Sequence, residues 1–312
     1  MDKAIQYTRG SEWRKWDLHV HTPCSIVSSF GDPGQEATWT AYFEDLEKLP
    51  EEIKVLGIND YLFLDGYKKV LKYKKAGGLK NIDLILPVIE FRIKEFVGHD
   101  QMKRINYHII FADDSILKPE VIEQQFLNQL YGKAVLDEES TGISWGGVVT
   151  RDSLSDLGKA IRAATPVEKR SDMPKGDLEL GFNNINFSLD ALEEILESSS
   201  NQNTYLKDAF FKAIGKSEWE DYRWTGSVAG KKTIINSCHF VFSASDTLEK
   251  VLEAKRRLGQ QSVNDRLLHC SDAHALSTHP SAELKIGHCF TWIKADTTFE
   301  GLRQITFEQD RI

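Results

Sequence analysis

The run Trp16-Asp17-Leu18-His19-Val20-His21-Thr22 constrains this chain more than any other stretch. In a β-strand, residues i and i+2 point to the same face. As a strand, the run therefore presents His19 and His21 side by side, half of a metal clamp. Taken alone, the pair reads equally well as a partly exposed strand with two incidental histidines. The other ionisable residues decide the matter. Asp60 and Glu90 stand where the apolar runs Val55–Ile58 and Ile82–Ile89 give out. His108 lies in the run Arg104–Phe111, and Asp272 and His274 follow Leu267-Leu268. His19, His21, His108 and His274 with Asp60, Glu90 and Asp272 form a nitrogen-and-oxygen ligand set without sulfur. Such a set suits Zn, Mn or Fe rather than a closed thiolate site. A carboxylate such as Glu90 can bridge two cations, an arrangement typical of phosphoester hydrolysis. Ligands spread from position 19 to position 274 meet only if a barrel gathers successive strand ends.

The local patterning supports such a barrel. A strand over 15–20 is followed by the loop Pro23–Pro33 and a helix over Trp39–Lys48. The strand Val55–Ile58, a basic amphipathic helix over Gly66–Ala76 and the strands Ile82–Ile89 and Arg104–Phe111 come next. Strand-helix-strand alternation indicates parallel βα units. Helices are expected over Pro119–Leu130, Leu154–Ala164, Ser188–Leu196 and Tyr205–Ile214. A turn and short strand are expected over Thr141–Val149, a mobile loop over Glu168–Gly181, and a polar break over Ser198–Asn203. Residues 151–230 read as an inserted or peripheral helical segment within a single domain over 1–312. The alternation resumes at Thr233–Ser237, with helices over Thr247–Leu258 and Thr297–Ile305.

Composition excludes several classes. The chain has 312 residues, enough for a large core without staples. No apolar run approaches a membrane span. Met1–Gly10 has no apolar stretch of the signal-peptide kind and reads with the next residues as a lead-in arm. Cys24, Cys238, Cys270 and Cys289 are widely spread and form no CxxC, which fits a reducing, cytoplasmic setting. The net charge of −8 argues against broad non-specific nucleic-acid binding but not against a nuclease whose cations make the site locally positive.

Several secondary candidates carry more than one reading. Cys270 is a nucleophile or, more simply, a small buried filler. His239 and His269 are ligands, outer partners of ligands, or core. His279 is close enough to Asp272 to line a mouth, whereas His99 and His288 carry no such signal. Arg92, Lys94 and Lys285 hold a phosphate or are ordinary surface charge. Gly226–Lys231 only weakly imitates a nucleotide loop, and no Gly-x-Ser-x-Gly elbow occurs.

Asp17-Leu18-His19-Val20-His21-Thr22 resembles the first motif of the PHP (polymerase and histidinol phosphatase) superfamily, and Ser271-Asp272-Ala273-His274 resembles its last. Asn59-Asp60-Tyr61 falls at the second motif, and Glu90 and His108 fall where later ligands are expected. The stretch Thr291–Leu302 resembles the end of the PHP region in TrlF-like proteins, where an AAA- or SMC-like ATPase follows. The resemblance covers both ends and the first third, and covers Arg151–Gly230 poorly. It implies an α/β fold, a distorted (β/α)7 barrel with a peripheral helical insertion, and a metal centre at the carboxyl ends of the strands. It implies metal-dependent phosphoester hydrolysis, as a phosphomonoesterase or as a nuclease working with an ATPase, in a system of the bacterial-defence kind. His19, His21, Glu90 and Asp272 would hold a first metal, Glu90 and His108 contribute to a second, and His274 belong to a third. Asp60, His108 and His274 would move protons or orient water. Two departures stand out: Tyr61 replaces the second motif's histidine, and the histidine often found after the first motif is missing. One or two divalent cations are therefore expected rather than three. A PHP module that binds nucleic acid or a partner protein without catalysis is the alternative, and a small-molecule phosphomonoesterase is another.

Overall fold

Short apolar runs build a single eight-stranded sheet. The structure is a computed structural model and describes residues 11–97, 103–136, 142–198, 205–215, 219, 228–245, 247–281 and 284–312. His99, residues 1–10 of the lead-in arm, residues 199–203 of the polar break, and residues 226 and 227 of the glycine turn lie outside the described residues.

Strands β1 (Trp13–Val20), β2 (Ile53–Tyr61) and β3 (Leu84–Val97) run parallel, linked by helices α1 (Glu36–Glu47) and α2 (Asp65–Lys75). β4 (Lys103–Phe111) turns back antiparallel on β3. A separate two-stranded pair joins β5 (Val135–Leu136) to β6 (Ile185–Asn186). β7 (Phe210–Ile214), β8 (Phe240–Ser243) and β9 (Leu267–His269) restore the first direction. β10 (Thr291–Lys294) runs antiparallel along β1. The order is β10-β1-β2-β3-β4-β7-β8-β9.

This sheet curls into a nearly closed barrel surrounded by helices, the α/β architecture expected from the sequence. It has eight strands, two of them reversed, where the resemblance implied seven βα units. Backbone bonds just beyond β9 close it. The His21 N–H donates to the Ala273 carbonyl at 2.9 Å, and the Ala273 N–H donates to the His19 carbonyl at 3.2 Å. Thr291 Oγ1 also accepts from the His269 N–H at 2.6 Å and lies 2.9 Å from the His269 carbonyl. One core fills the interior, with Trp16, Phe91, Phe111 and Phe211 fully buried.

The middle of the chain departs from several local expectations. Residues 205–214 have helical spacing, yet Phe210–Ile214 is β7, paired on both edges by β4 and β8. A strand buried on both faces loses its alternation, so period alone cannot separate it from a helix. Glu168–Gly181 is not a loop throughout, since a 3-10 turn spans Val167–Asp172 and a helix spans Asp177–Asn184. Thr233–Ser237 is helical (Val228–Ser237), and the strand begins at Phe240. Residues 142–149 form no strand. The helix Arg151–Ala164 starts with a capping box, in which Thr150 Oγ1 accepts from the Ser153 N–H and Ser153 Oγ accepts from the Thr150 N–H. It packs closely on Asp177–Asn184 because both contact positions are glycine. A Cβ on Gly158 would lie 1.9 Å from the Asp177 carbonyl oxygen, and one on Gly181 would lie 1.8 Å from that of Leu154.

Candidate metal centre

Alternation along β1 places Asp17, His19 and His21 on one face. His19 Nε2 sits at the middle of a cluster. It lies 3.1 Å from His21 Nε2, 3.2 Å from Glu90 Oε2 and 3.0 Å from Asp272 Oδ1. His108 Nε2 approaches Glu90 Oε2 at 3.3 Å, and His274 Nε2 approaches Asp272 Oδ1 at 3.3 Å. Sheet register explains half of this: Glu90 lies opposite Tyr61 on β2 and His108 on β4. Closure at Ala273 explains the rest, because it brings Asp272 and His274 alongside β1. Two donor groups result, His19–Glu90–His108 and His19–His21–Asp272, and they share His19.

The donor set fits a divalent cation. Ligands held about 2.0–2.2 Å from one ion stand about 3–3.5 Å from one another, and the spacings above match that range. The imidazoles are also held for the task. His21 Nδ1 lies 2.9 Å from Ser25 Oγ, and His274 Nδ1 lies 3.0 Å from the Val27 carbonyl. A carbonyl only accepts, so His274 Nδ1 carries the proton, and in the neutral ring Nε2 is bare toward Asp272. Both partners come from the loop after β1, so that loop orients the two imidazoles. Asp17 Oδ1 accepts from the Ser271 N–H at 2.9 Å and the His19 N–H at 3.3 Å, tying the two ligand-bearing segments together. Asp272 has φ +49°, a left-handed conformation uncommon outside glycine but tolerated by aspartate.

Burial sets the electrostatics. All four histidines and Glu90 are buried, whereas the Asp272 side chain is half exposed. Desolvation would push the Glu90 carboxyl up, but the His108 charge and hydrogen bonds from His108, His19 and His21 outweigh it and hold it well below the usual range. Desolvation would pull His19 down, but the charges of Asp272 and Glu90, with a hydrogen bond to Glu90, raise it to about 9. His21 is lowered, by burial and then by the neighbouring His274 charge. Phe242 walls the cluster, its ring centroid 5.7 Å from that of His19 and 5.1 Å from that of His108.

Six predicted ligands thus meet: His19, His21, Glu90, His108, Asp272 and His274. Asp60 lies on the other face of β2 from Asn59 and Tyr61. Its Oδ1 accepts from the Thr22 N–H at 3.0 Å and its Oδ2 from the Thr22 hydroxyl at 2.7 Å, which anchors the turn leaving β1. Burial, opposed by those bonds, raises its carboxyl to about 7. His239 lies just before β8 and packs on Phe211. Its Nδ1 accepts from the Lys212 N–H at 2.9 Å, and burial followed by the Lys212 charge lowers it to about 4. His269 is buried at the end of β9, and neither donor group includes it or His239 among the described residues. Cys270 is buried and its thiol is pushed well up by desolvation, the opposite of an activated nucleophile. Arg92 lies with its guanidinium 5.1 Å from the centre of the Phe182 ring, and both Arg92 and His274 act on the Glu179 carboxyl. Lys94 is exposed two residues farther along β3, and Lys285 pairs through its backbone with Ala275, next to His274.

Sequence reasoning passed over Asn59. It is fully buried, with Nδ2 2.7 Å from Glu90 Oε2 and 3.1 Å from His21 Nε2. Its parity with Tyr61 was the available signal. Tyr61 itself stacks on His21 at 4.9 Å and meets the tilted Phe182 ring at 4.9 Å, so it links the cluster to the helix Asp177–Asn184. The nearly closed barrel with this His/Glu cluster is consistent with a PHP-like metal-binding barrel. No protein-family model matches the chain, and no curated protein matches it.

Proposed function

We propose that the chain is a metal-dependent phosphoesterase that cleaves phosphodiesters in DNA or RNA. The observation that carries this reading is the convergence of three imidazoles and two carboxylates on two donor groups that share His19, with His274 beside Asp272. A divalent cation held there supplies a Lewis acid and a bound water of lowered pKa. His19, His21, Glu90 and Asp272 would bind it, with Glu90 and His108 contributing to a second. His108 and His274, each with Nε2 turned to a carboxylate, would hold or pass protons. Arg92 would offer positive charge to a phosphate, with Lys94 and Lys285 farther out. Asp60 would act by holding the turn at Thr22. The resemblance to TrlF-like proteins supports work alongside an ATPase module or subunit, in a defence-type system. Cys24, Cys238, Cys270 and Cys289 form no disulfide, which supports a reducing, cytoplasmic setting. Among the described residues no helix is long and apolar enough to cross a membrane.

One observation favours a second reading. Tyr61, stacked on His21 and in contact with Phe182, stands where the resemblance leads one to expect a further imidazole ligand, and a phenol is a poor ligand near neutral pH. A module that holds metal and binds nucleic acid or a partner protein without turnover fits that substitution. The test is metal analysis together with hydrolysis of bis(p-nitrophenyl) phosphate, single- and double-stranded DNA, RNA, and sugar and nucleotide monophosphates. We expect bound metal with diester cleavage, lost in His19→Ala and Asp272→Ala. Bound metal with no turnover would select the binding module. Turnover of monoesters alone would select a small-molecule phosphatase. Absence of metal after reconstitution would remove the central claim.

A further inference from the structure

Asn59 has unusual surroundings for a buried amide. Its Nδ2 touches two atoms that belong to the cluster, Glu90 Oε2 and His21 Nε2. Its Oδ1 is buried and has no hydrogen-bond partner among the described residues. An orphaned buried acceptor costs about 1–3 kcal/mol, so it calls for an explanation. The two ends of an asparagine amide have the same shape and exchange by a half-turn about the last side-chain bond. That half-turn gives up the two Nδ2 contacts and none at Oδ1, and it carries Nδ2 to the place where Oδ1 has no partner, so it needs a cation to compensate it.

We infer that Asn59 is a metal ligand through Oδ1, with Oδ1 exchanged for Nδ2 toward Glu90 Oε2 and His21 Nε2 when a cation is bound. Without a cation, Nδ2 is the correct end to face Glu90 Oε2 and a bare His21 Nε2, since it donates to both. With a cation, those two lone pairs are committed to the metal and Nδ2 loses both acceptors. Oδ1 turned to the same place would sit about 2.7–3.1 Å from the two donor atoms. Two acceptors at that spacing repel each other unless a cation lies between them. Around a cation with bonds of about 2.1 Å, it is the spacing of neighbouring ligands. Asn59 would join His19, His21, Glu90 and Asp272 as a fifth protein donor, with three oxygens in the set. Hard oxygen donors and a coordination number above four favour Mn over tetrahedral Zn. Asn59 therefore tunes which metal the centre prefers.

This inference rests on the metal-centre reading above, and the experiment separates the two. Mn and Zn affinities of the metal-stripped full chain are measured by calorimetry for the wild type, His19→Ala, Asn59→Leu and Asn59→Asp, with thermal melts of the stripped proteins as a fold control. Manganese EPR on the same samples reports the ligand field. We expect Asn59→Leu to weaken Mn roughly tenfold or more, in line with losses at metal-orienting positions, and Zn by clearly less. Asn59→Asp, which keeps an oxygen at the site, should retain Mn binding and only perturb the EPR spectrum. If Asn59 merely donates to Glu90, Asn59→Asp should be as damaging as Asn59→Leu, because it adds a like charge beside Glu90. That result, or an unchanged Mn-to-Zn ratio in Asn59→Leu, overturns the inference. Should Asn59→Leu fail to fold, the Asn59→Asp affinity and spectrum decide alone. A wild type that binds neither metal, or binds both as well as His19→Ala does, sinks the metal centre itself.

Discussion

The two donor groups share His19 but are built differently. On the β1 side, His21 and His274 are each gripped at Nδ1 by the loop after β1, through Ser25 and the Val27 carbonyl. Asp17 fastens the His19 and Ser271 backbones to one carboxylate. On the β3–β4 side, Glu90 takes its position from sheet register, and His108 Nδ1 has no hydrogen-bond partner among the described residues. Tyr61 stands where another ligand is expected. Outer partners set tautomer and ring direction, and they carry much of a metal's affinity. The difference therefore orders the two positions: the His19–His21–Asp272 group is prepared for a cation, and the His19–Glu90–His108 group is less so.

Substitutions can break or sharpen that ordering. His19→Ala removes the shared donor and should abolish tight binding of every cation, a loss beyond the roughly 10–100-fold that outer partners carry. Metal analysis after dialysis checks it, and retained stoichiometric metal would dissolve the comparison. Asp272→Ala should come next, with a larger loss of affinity for the first cation than His108→Ala causes. His108→Ala should instead remove any second, weaker binding step in calorimetry. The reverse ranking would place the stronger site on β3 and β4. Ser25→Ala tests the grip on His21 and should weaken the first cation about tenfold without changing the fold. The smallest effect belongs to His239, the control outside the cluster. Its pKa falls on folding, to about 4. Its neutral form therefore favours the native state: that stability is complete above pH 6.5 or so and is lost as pH drops toward 4. His239→Asn should flatten the decline of thermal stability between those pH values and leave metal affinity unchanged. An equally steep decline would show that other groups govern it.

What could be read locally was read correctly where one face of an element is distinct. The spacing of His19 and His21 is a period-two signal and needs no partner to be seen. The same holds for Ser188, whose hydroxyl caps the helix beginning at Leu189. Glu90, expected to end a strand, instead stands in the middle of β3, which runs on to Val97 because β4 pairs along it. Failure came where the neighbours decide. Phe210–Ile214 became a strand because β4 and β8 bond both its edges, which its own pattern cannot announce. The helix Asp177–Asn184 formed in a stretch read as loop because two glycines let it lie against Arg151–Ala164.

The sequence by itself determined the chemistry of this protein: which side chains are available as ligands, and that His19 and His21 share a face. Only the tertiary structure decided their company. Ala273 pairing beside β1 joins residues some 250 positions apart, register sets Glu90 between Tyr61 and His108, and alternation turns Asp60 away while turning Asn59 in. The reason is physical. Side-chain direction follows from backbone geometry within a few residues, whereas barrel closure and strand register depend on the whole core and on partners distant in the chain.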